Sequence, residues 1–349
     1  MTSSMFPFGV LFEADEFNSK LTKPIIENRQ VTKKKYQVKL VWRNIIGLIF
    51  IHACALYGLY LAFTSAKMAT NLFAIFLFEI TAIGITAGVH RLWSHRSYKA
   101  KWPLKLILVF LNNMAFQGHI ILWARDHRTH HKYSDTDADP HNANRGFFFA
   151  HIGWLCVRKH PDVIEKGKGI DMSDLYADPI LRFQKMCYYE VLMPLCCYVL
   201  PTVVAVYGWN EGWPNAFFIA GFLRHVCMLH NTFLVNSAAH LYGYKPYDKN
   251  ILPVQNFTVA IMAVGEGWHN YHHTFPWDYK ASELKNYRAN FTNAFIDFFA
   301  WIGWAYDLKT VSPDIIKNRV QRTGDGSHEL WGWGDKDIRK EDEDATITT

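Results

Sequence analysis

Residues 44–63 read NIIGLIFIHACALYGLYLAF, twenty consecutive positions without an acidic or basic side chain other than one histidine. A helix needs about twenty apolar residues to cross the hydrocarbon core of a bilayer. Three further runs share that length and character: NLFAIFLFEITAIGITAGV at 71–89, CYYEVLMPLCCYVLPTVVAVY at 187–207, and AFFIAGFLRHVCMLHNTFLV at 216–235. Soluble helices of that length normally keep a polar face, so buried helices of a soluble protein are the weaker reading. The expectation is an all-α membrane protein with four transmembrane helices.

The linkers orient them. TSAKMAT at 64–70 and GWNEGWPN at 208–215 are short and nearly uncharged, so the four runs pair into two hairpins. Lys33 to Arg43, His90 to Arg96 and everything beyond Asn236 lie on the other side. The excess of cations on cytosolic loops then puts that side, and both termini, in the cytosol. A fifth apolar stretch, 104–122, carries Asn112, Asn113, Gln117 and His119, and reads as a helix lying on or dipping into the membrane. Residues 1–40 read as a cytosolic N-terminal segment and 41–335 as one domain. The hydrophobic-poor tail 336–349 reads as disordered.

Bulk composition agrees. Of 349 residues 50% are hydrophobic and 16% aromatic, yet the mean hydropathy is only −0.07, so a large water-facing part must accompany the spans. The net charge of +6 suits a membrane surface or an anionic substrate and is too weak to argue for nucleic acid. Six cysteines without a CxxC pair read as reduced core residues.

Three histidine clusters fall on the cytosolic side: HRLWSH at 90–95, HRTHH at 127–131 and HNYHH at 269–273, with His240 just after the fourth run. On a helix each residue turns by about 100°. In HxxHH the first and last rings are nearly aligned, so His127, His130 and His131 can share a face, as can His269, His272 and His273. Adjacent rings still diverge, so one cluster is expected to feed two metal ions. His90 and His95 are offset by roughly 140° on an α-helix and need a helix end or bend between them. Such an imidazole-rich set suits Zn, Cu, Fe or Ni. Asp126, Asp135, Asp137 and Asp139 are candidate acceptors for the other ring N–H. His52, His119, His141, His151, His160, His225, His230 and His328 lack the spacing and read as structural.

With these motifs in view, the chain resembles membrane acyl-CoA desaturases of the stearoyl-CoA desaturase family, in their insect branch. The resemblance runs from VWRN at 41–44 to RTGDGSH at 322–328. It is carried by GITAG at 84–88, HRLWSH, WARDHR at 123–128, DADPHN at 137–142, RGFFF at 145–149, VRKHP at 157–161, LVNSAAHLYGYKPYDK at 234–249 and GEG at 265–267 ahead of HNYHHTFPWDY. It implies a mostly helical cytosolic cap over a histidine-ligated di-iron centre. The implied ligands are His90, His95, His127, His130, His131, His240, His269, His272 and His273, with Asn236 holding a metal-bound water. Asn44, Arg125, Asp126, Arg158 and Lys159 match coenzyme A contacts. Gln117, Trp123 and Thr232 match the lining of a kinked acyl tunnel, and Phe78 and Ala82 its far end. Gly118, His119 and Phe233 depart from the family's usual residues near the bend. ILPVQ at 251–255 resembles a subgroup whose members often act at the eleventh carbon.

The implied reaction uses two Fe2+ ions, O2 and two electrons to desaturate an acyl-CoA of sixteen to eighteen carbons at the ninth or eleventh carbon. Side-chain acids and bases move protons, and an unactivated methylene pair offers none they can take. Oxygen chemistry at iron can remove hydrogen, while the protein supplies placement. No flavin or dinucleotide motif is present, and HPDV at 160–163 is not the haem motif of a fused cytochrome. The resemblance therefore implies separate cytochrome b5 and its NADH-dependent reductase, in the endoplasmic reticulum. A conjugating desaturase or di-iron fatty-acyl hydroxylase would use similar clusters. A non-enzymatic membrane metal carrier would want its ligands at bilayer depth.

Overall fold

A computed structural model describes residues 36–283 and 287–331. Residues 1–35, with Lys33, Lys34 and Lys35, and the tail 336–349 lie outside the described residues.

Fourteen helices organise the described chain: α1 Trp42–Thr64, α2 Met68–Ser94, α3 Trp102–Ala115, α4 Ile120–Tyr133, α5 Phe147–His151, α6 Pro161–Lys168, α7 Ser173–Ala177, α8 Pro179–Leu192, α9 Pro194–Trp209, α10 Trp213–Leu241, α11 Phe257–Met262, α12 His269–Thr274, α13 Phe291–Trp301 and α14 Pro313–Thr323. One small antiparallel ribbon, β1 Lys99–Ala100 with β2 Ala305–Tyr306, ties the end of α2 to the end of α13.

Three helices, α1, α2 and α10, are long and apolar enough to cross a membrane. Counting each of two bent pairs as one span raises the number to five. The protein is thus a multi-pass membrane protein. The outer face of α1 supports this: Ile46, Ile49, Leu56 and Phe63 are 63–85% exposed, an apolar stripe that only lipid would cover without cost.

Two expected helices prove to be broken. The 187–207 run falls on α8 and α9, bent by 54° at Met193–Pro194. Proline lacks the N–H for the helical ladder and its ring crowds the preceding turn. The 104–122 stretch ends at Ala115 and resumes at Ile120 after an 84° bend. Phe116 there takes a left-handed conformation, with φ 47°, and Gly118 has φ 93°. His119 then caps α4, its Nδ1 accepting the Leu122 N–H at 3.1 Å. The interruption turns α4 sharply away from the axis of α3.

Close packing holds α2 to α3. A Cβ on Gly84 would lie 2.5 Å from backbone atoms of Leu111 and Asn112, so only glycine permits this approach. Arg224 on α10 is buried, but its guanidinium donates to the carbonyls of Ala220, Met114 and Cys197, binding α10 to α3 and α9. That explains a cation within a spanning helix. All six cysteines are free.

Candidate metal centre

From Gly84 to Ser94, α2 is a π-helix. This wider helix closes i to i+5, as in the His95 N–H to His90 carbonyl bond of 3.1 Å. The expected helix end does fall between them, since the helix stops at Ser94 and His95 caps it. The π turn brings both to one side, their ring centres 4.8 Å apart. Arg128 fixes the helix end beside them, donating to the Trp93 and Ser94 carbonyls while held by Asp174.

Nine imidazoles gather in two groups. His90, His95, His127, His131 and His272 offer nitrogens within 4.8 Å of one another, and so do His130, His240, His269 and His273. Within each HxxHH motif the i, i+4 pair serves one group and the middle histidine the other. Adjacent rings diverge as their rotation on the helix requires. His240 is not beyond its helix, because α10 continues to Leu241 and carries it in the last turn.

The ring nitrogens show what the groups can hold. His90 Nδ1 lies 2.9 Å from Glu266, His130 Nδ1 2.8 Å from Asp139 and His240 Nδ1 3.2 Å from Asp135. At His130 and His240 the carboxylate fixes the proton on Nδ1 and leaves a bare Nε2. Yet His90 Nε2 faces His272 Nε2 at 3.0 Å, His130 Nε2 faces His273 Nε2 at 3.2 Å, and His240 Nε2 faces His269 Nε2 at 3.1 Å. His272 Nε2 is also 3.0 Å from His131 Nε2, and His269 Nε2 3.1 Å from His273 Nε2. A neutral ring has one proton to give, too few for these contacts. Imidazoles at roughly 2.1 Å from a common ion, at right angles, stand about 3 Å apart. The residues present therefore fit transition-metal ions.

Of the four candidate aspartates, Asp135 and Asp139 meet imidazoles. Asp126 instead binds Lys159 at 2.5 Å and Arg125 at 3.3 Å, and Asp137 is exposed near His160, outside both groups. Sequence reasoning missed Glu266. Its Oε1 accepts from Arg91 Nε and Nη2 while Oε2 faces His90. Burial alone would raise this carboxyl, but Arg91 and His90 outweigh it and bring it down to about 2. The only signal was its place in GEG. Gly265 has φ 118°, and a Cβ there would lie 2.3 Å from Asn290 Oδ1. Burial holds His269, His272 and His273 well below the usual imidazole range, with neighbouring rings adding to it, so they stay neutral and able to ligate.

Two adjoining cavities reach the histidines. One is lined by Asn44, Gln117, Trp123, Asp126, His127, Lys159, Thr232 and Asn236 among others. The second is lined by Trp123, His127, Thr232, Asn236, His90, His130, His269, Met228 and Ala82 among others. Gln117 donates to Thr232 Oγ1 at 2.8 Å where they meet, and Trp123 stacks on His127. Asn44 is buried and donates to the Leu155 carbonyl. Arg125 turns to Asp126. Arg158 is exposed, its carbonyl accepting from Tyr36. Phe78, one turn before Ala82, packs half-buried against the apolar core.

Histidine groups of this kind at the ends of helices long enough to span, beside an apolar cavity, define a membrane-embedded oxidoreductase. The chain belongs to the fatty acid desaturase family, whose model matches residues 67–292. It is 62% identical to an acyl-CoA Delta-9 desaturase of Acheta domesticus, over 98% of this chain and 96% of that one. It is 60% identical to an acyl-CoA Delta(11) desaturase of Spodoptera littoralis, over 88% and 90%. It is 57% identical to an (11Z)-hexadec-11-enoyl-CoA conjugase of Bombyx mori, over 83% and 87%.

Proposed function

We propose that this enzyme desaturates a saturated acyl-CoA of sixteen to eighteen carbons at the ninth or eleventh carbon. In this reading it spans the endoplasmic reticulum membrane four times, α8 and α9 forming one span, with both termini cytosolic. The observation that carries it is the pair of adjoining cavities, polar and charged at Asp126 and Lys159, apolar at Ala82 and Met228, with the histidine groups between.

The nine histidines would hold two iron ions, with Asn236 holding a metal-bound water. When bound, iron with O2 and two electrons supplies the oxidising power to remove two hydrogens from the chain. The protein's own work is placement. Lys159, Arg158 and Arg125 offer cations to the phosphates of coenzyme A, and Asn44 an amide. Gln117 and Thr232, joined across the junction, bend the chain so that one methylene pair faces the histidines. Fixing two carbons in this way can supply several kcal/mol. The buried walls exclude water. Electrons come from cytochrome b5 and its NADH-dependent reductase.

The similarity to a conjugase favours a second reading, in which an already unsaturated chain is converted to a diene. Expression in yeast lacking its own desaturase, with double bonds located by mass spectrometry, tests both. A Z-9 or Z-11 monoene supports the first reading, a conjugated diene the second, and a hydroxylated chain overturns both.

A further inference from the structure

Away from the metal groups, three histidines outside the HxxHH and HxxxxH clusters form a continuous chain. His52 on α1 donates from Nδ1 to the Leu48 carbonyl at 2.6 Å, and its Nε2 meets His230 Nε2 of α10 at 2.9 Å. His230 Nδ1 meets His151 Nε2 of α5 at 2.9 Å, and His151 Nδ1 meets Ser237 Oγ at 2.9 Å. Ser237 Oγ reaches the Phe233 carbonyl at 2.8 Å.

Both ends of this chain are carbonyls, which only accept. Between them lie five links, and each requires one proton. Three neutral imidazoles and one hydroxyl bring four. One link must go without, unless the array takes up one more proton. With it, every link carries one proton: the doubly protonated ring donates on both sides, and donation runs outward from it to the two carbonyls. The linear order argues against a metal site, since His230 turns one nitrogen to each neighbour rather than sharing a centre. The closed ends argue against a through-going proton path.

We propose that His52, His230, His151 and Ser237 form a proton-binding site that takes up one proton beyond the neutral count and thereby clasps α1, α5 and α10 together. α1, α10 and the segment that follows α5 line the first cavity. α1 contributes Asn44, the segment after α5 Trp154 and Leu155, and α10 Thr232, Phe233 and Asn236. The three rings are partly buried, so protons still reach them. Few titratable groups face the array. From α10, His225 interacts with His52, while Arg224 is turned to the Ala220, Met114 and Cys197 carbonyls. Cys54 lies two positions from His52 on α1. Among the described residues no carboxylate is paired with the array.

The test is hydrogen–deuterium exchange of residues 147–156 in the full-length, metal-loaded protein in nanodiscs, from pH 5.5 to 8.5, scaled for the intrinsic pH dependence of exchange. One hydrogen bond gained or lost corresponds to roughly fivefold in protection. Protection should fall by about that factor, as a one-proton transition, as pH rises. Ser237→Ala is the decisive variant. It removes no titrating group, but leaves three links and three protons, so the transition should vanish with all three histidines in place. Retained metal content reports that the variant is folded. If it is not, His151→Phe, which also balances the count, should give flat, low protection. A wild type whose scaled protection is flat, or a folded Ser237→Ala that keeps the transition, overturns the proposal.

Discussion

His130 and His131 are sequence neighbours on α4, yet His130 Nε2 turns to His273 and His131 Nε2 to His272. The helical rotation between adjacent residues separates their rings, and the same rotation separates His272 from His273 on α12. Two short helices therefore serve both metal groups. His130→Ala and His131→Ala should each lower bound iron from about two toward one per chain, and both should abolish desaturation. Metal analysis on purified variants checks this. A single variant that keeps both irons and near-full turnover would remove that residue from the ligand set.

Glu266 joins a buried guanidinium to a metal-facing ring, and Arg91 also donates to the Tyr279 and Lys280 carbonyls. Breaking a buried pair leaves a charge without its partner, at a cost of about 3–5 kcal/mol. Glu266→Ala should lower the thermal midpoint by many degrees and loosen metal binding. Ion-pair losses at the exposed Lys99–Asp307 contact should be far milder. Equal effects from the two sites would contradict the assignment.

Acid should destabilise the metal-free protein. His269, His272 and His273 are held well below the ordinary imidazole range by burial, and His141 down to about 3. In the unfolded chain each titrates near 6.5, so below that pH unfolding takes up protons that the folded state refuses. Each ring then costs up to about 1.4 kcal/mol per pH unit until its folded value is reached. The thermal midpoint should drop steeply between pH 6.5 and 5. Added iron, which competes with protons for the same nitrogens, should delay the drop. A flat midpoint across that range refutes this.

Ala82 lines the second cavity with a small side chain, at the position proposed for the far end of the acyl tunnel. Ala82→Phe would put volume where the last methylenes lie. A buried methylene is worth about 0.8 kcal/mol, so excluding two should bias against the longer chain by about 1.6 kcal/mol, roughly fifteenfold. Competition between sixteen- and eighteen-carbon acyl-CoA measures it. A ratio within about twofold of wild type would place the tunnel end elsewhere.

Asn290 lies in an NFT triplet, but its amide is buried and donates to the Lys280 carbonyl and Ser282. On the proposed orientation, with both termini cytosolic, Asn290 should carry no glycan. A glycosidase-sensitive mobility shift that disappears in Asn290→Gln would reverse the orientation.

Local periodicity was legible in the sequence because it depends on residues a few positions apart. The lengths of the apolar runs set the spanning helices to within a few residues at α1, α2 and α10. The HxxHH spacing set which rings point together and which diverge. The aspartates within nine residues of His130 were within reach of inspection, although only the fold shows that Asp135 and Asp139, and not Asp126, meet imidazoles.

Other features depend on segments far apart in the chain, or on a departure from the ordinary helical period. Nothing in HRLWSH announces that α2 widens into a π-helix and aligns positions five apart. The break at residues 116–119 depends on a left-handed phenylalanine, a conformation sequence propensity does not favour. Glu266 lies 175 positions from Arg91, and His52 lies 178 from His230. The sequence by itself determined three apolar runs long enough to span, the family and the spacing of the histidines, because each is written in neighbouring residues. The tertiary structure decided which carboxylate meets which imidazole, where the cavities join and which unassigned histidines form a chain, because those contacts exist only once distant helices pack.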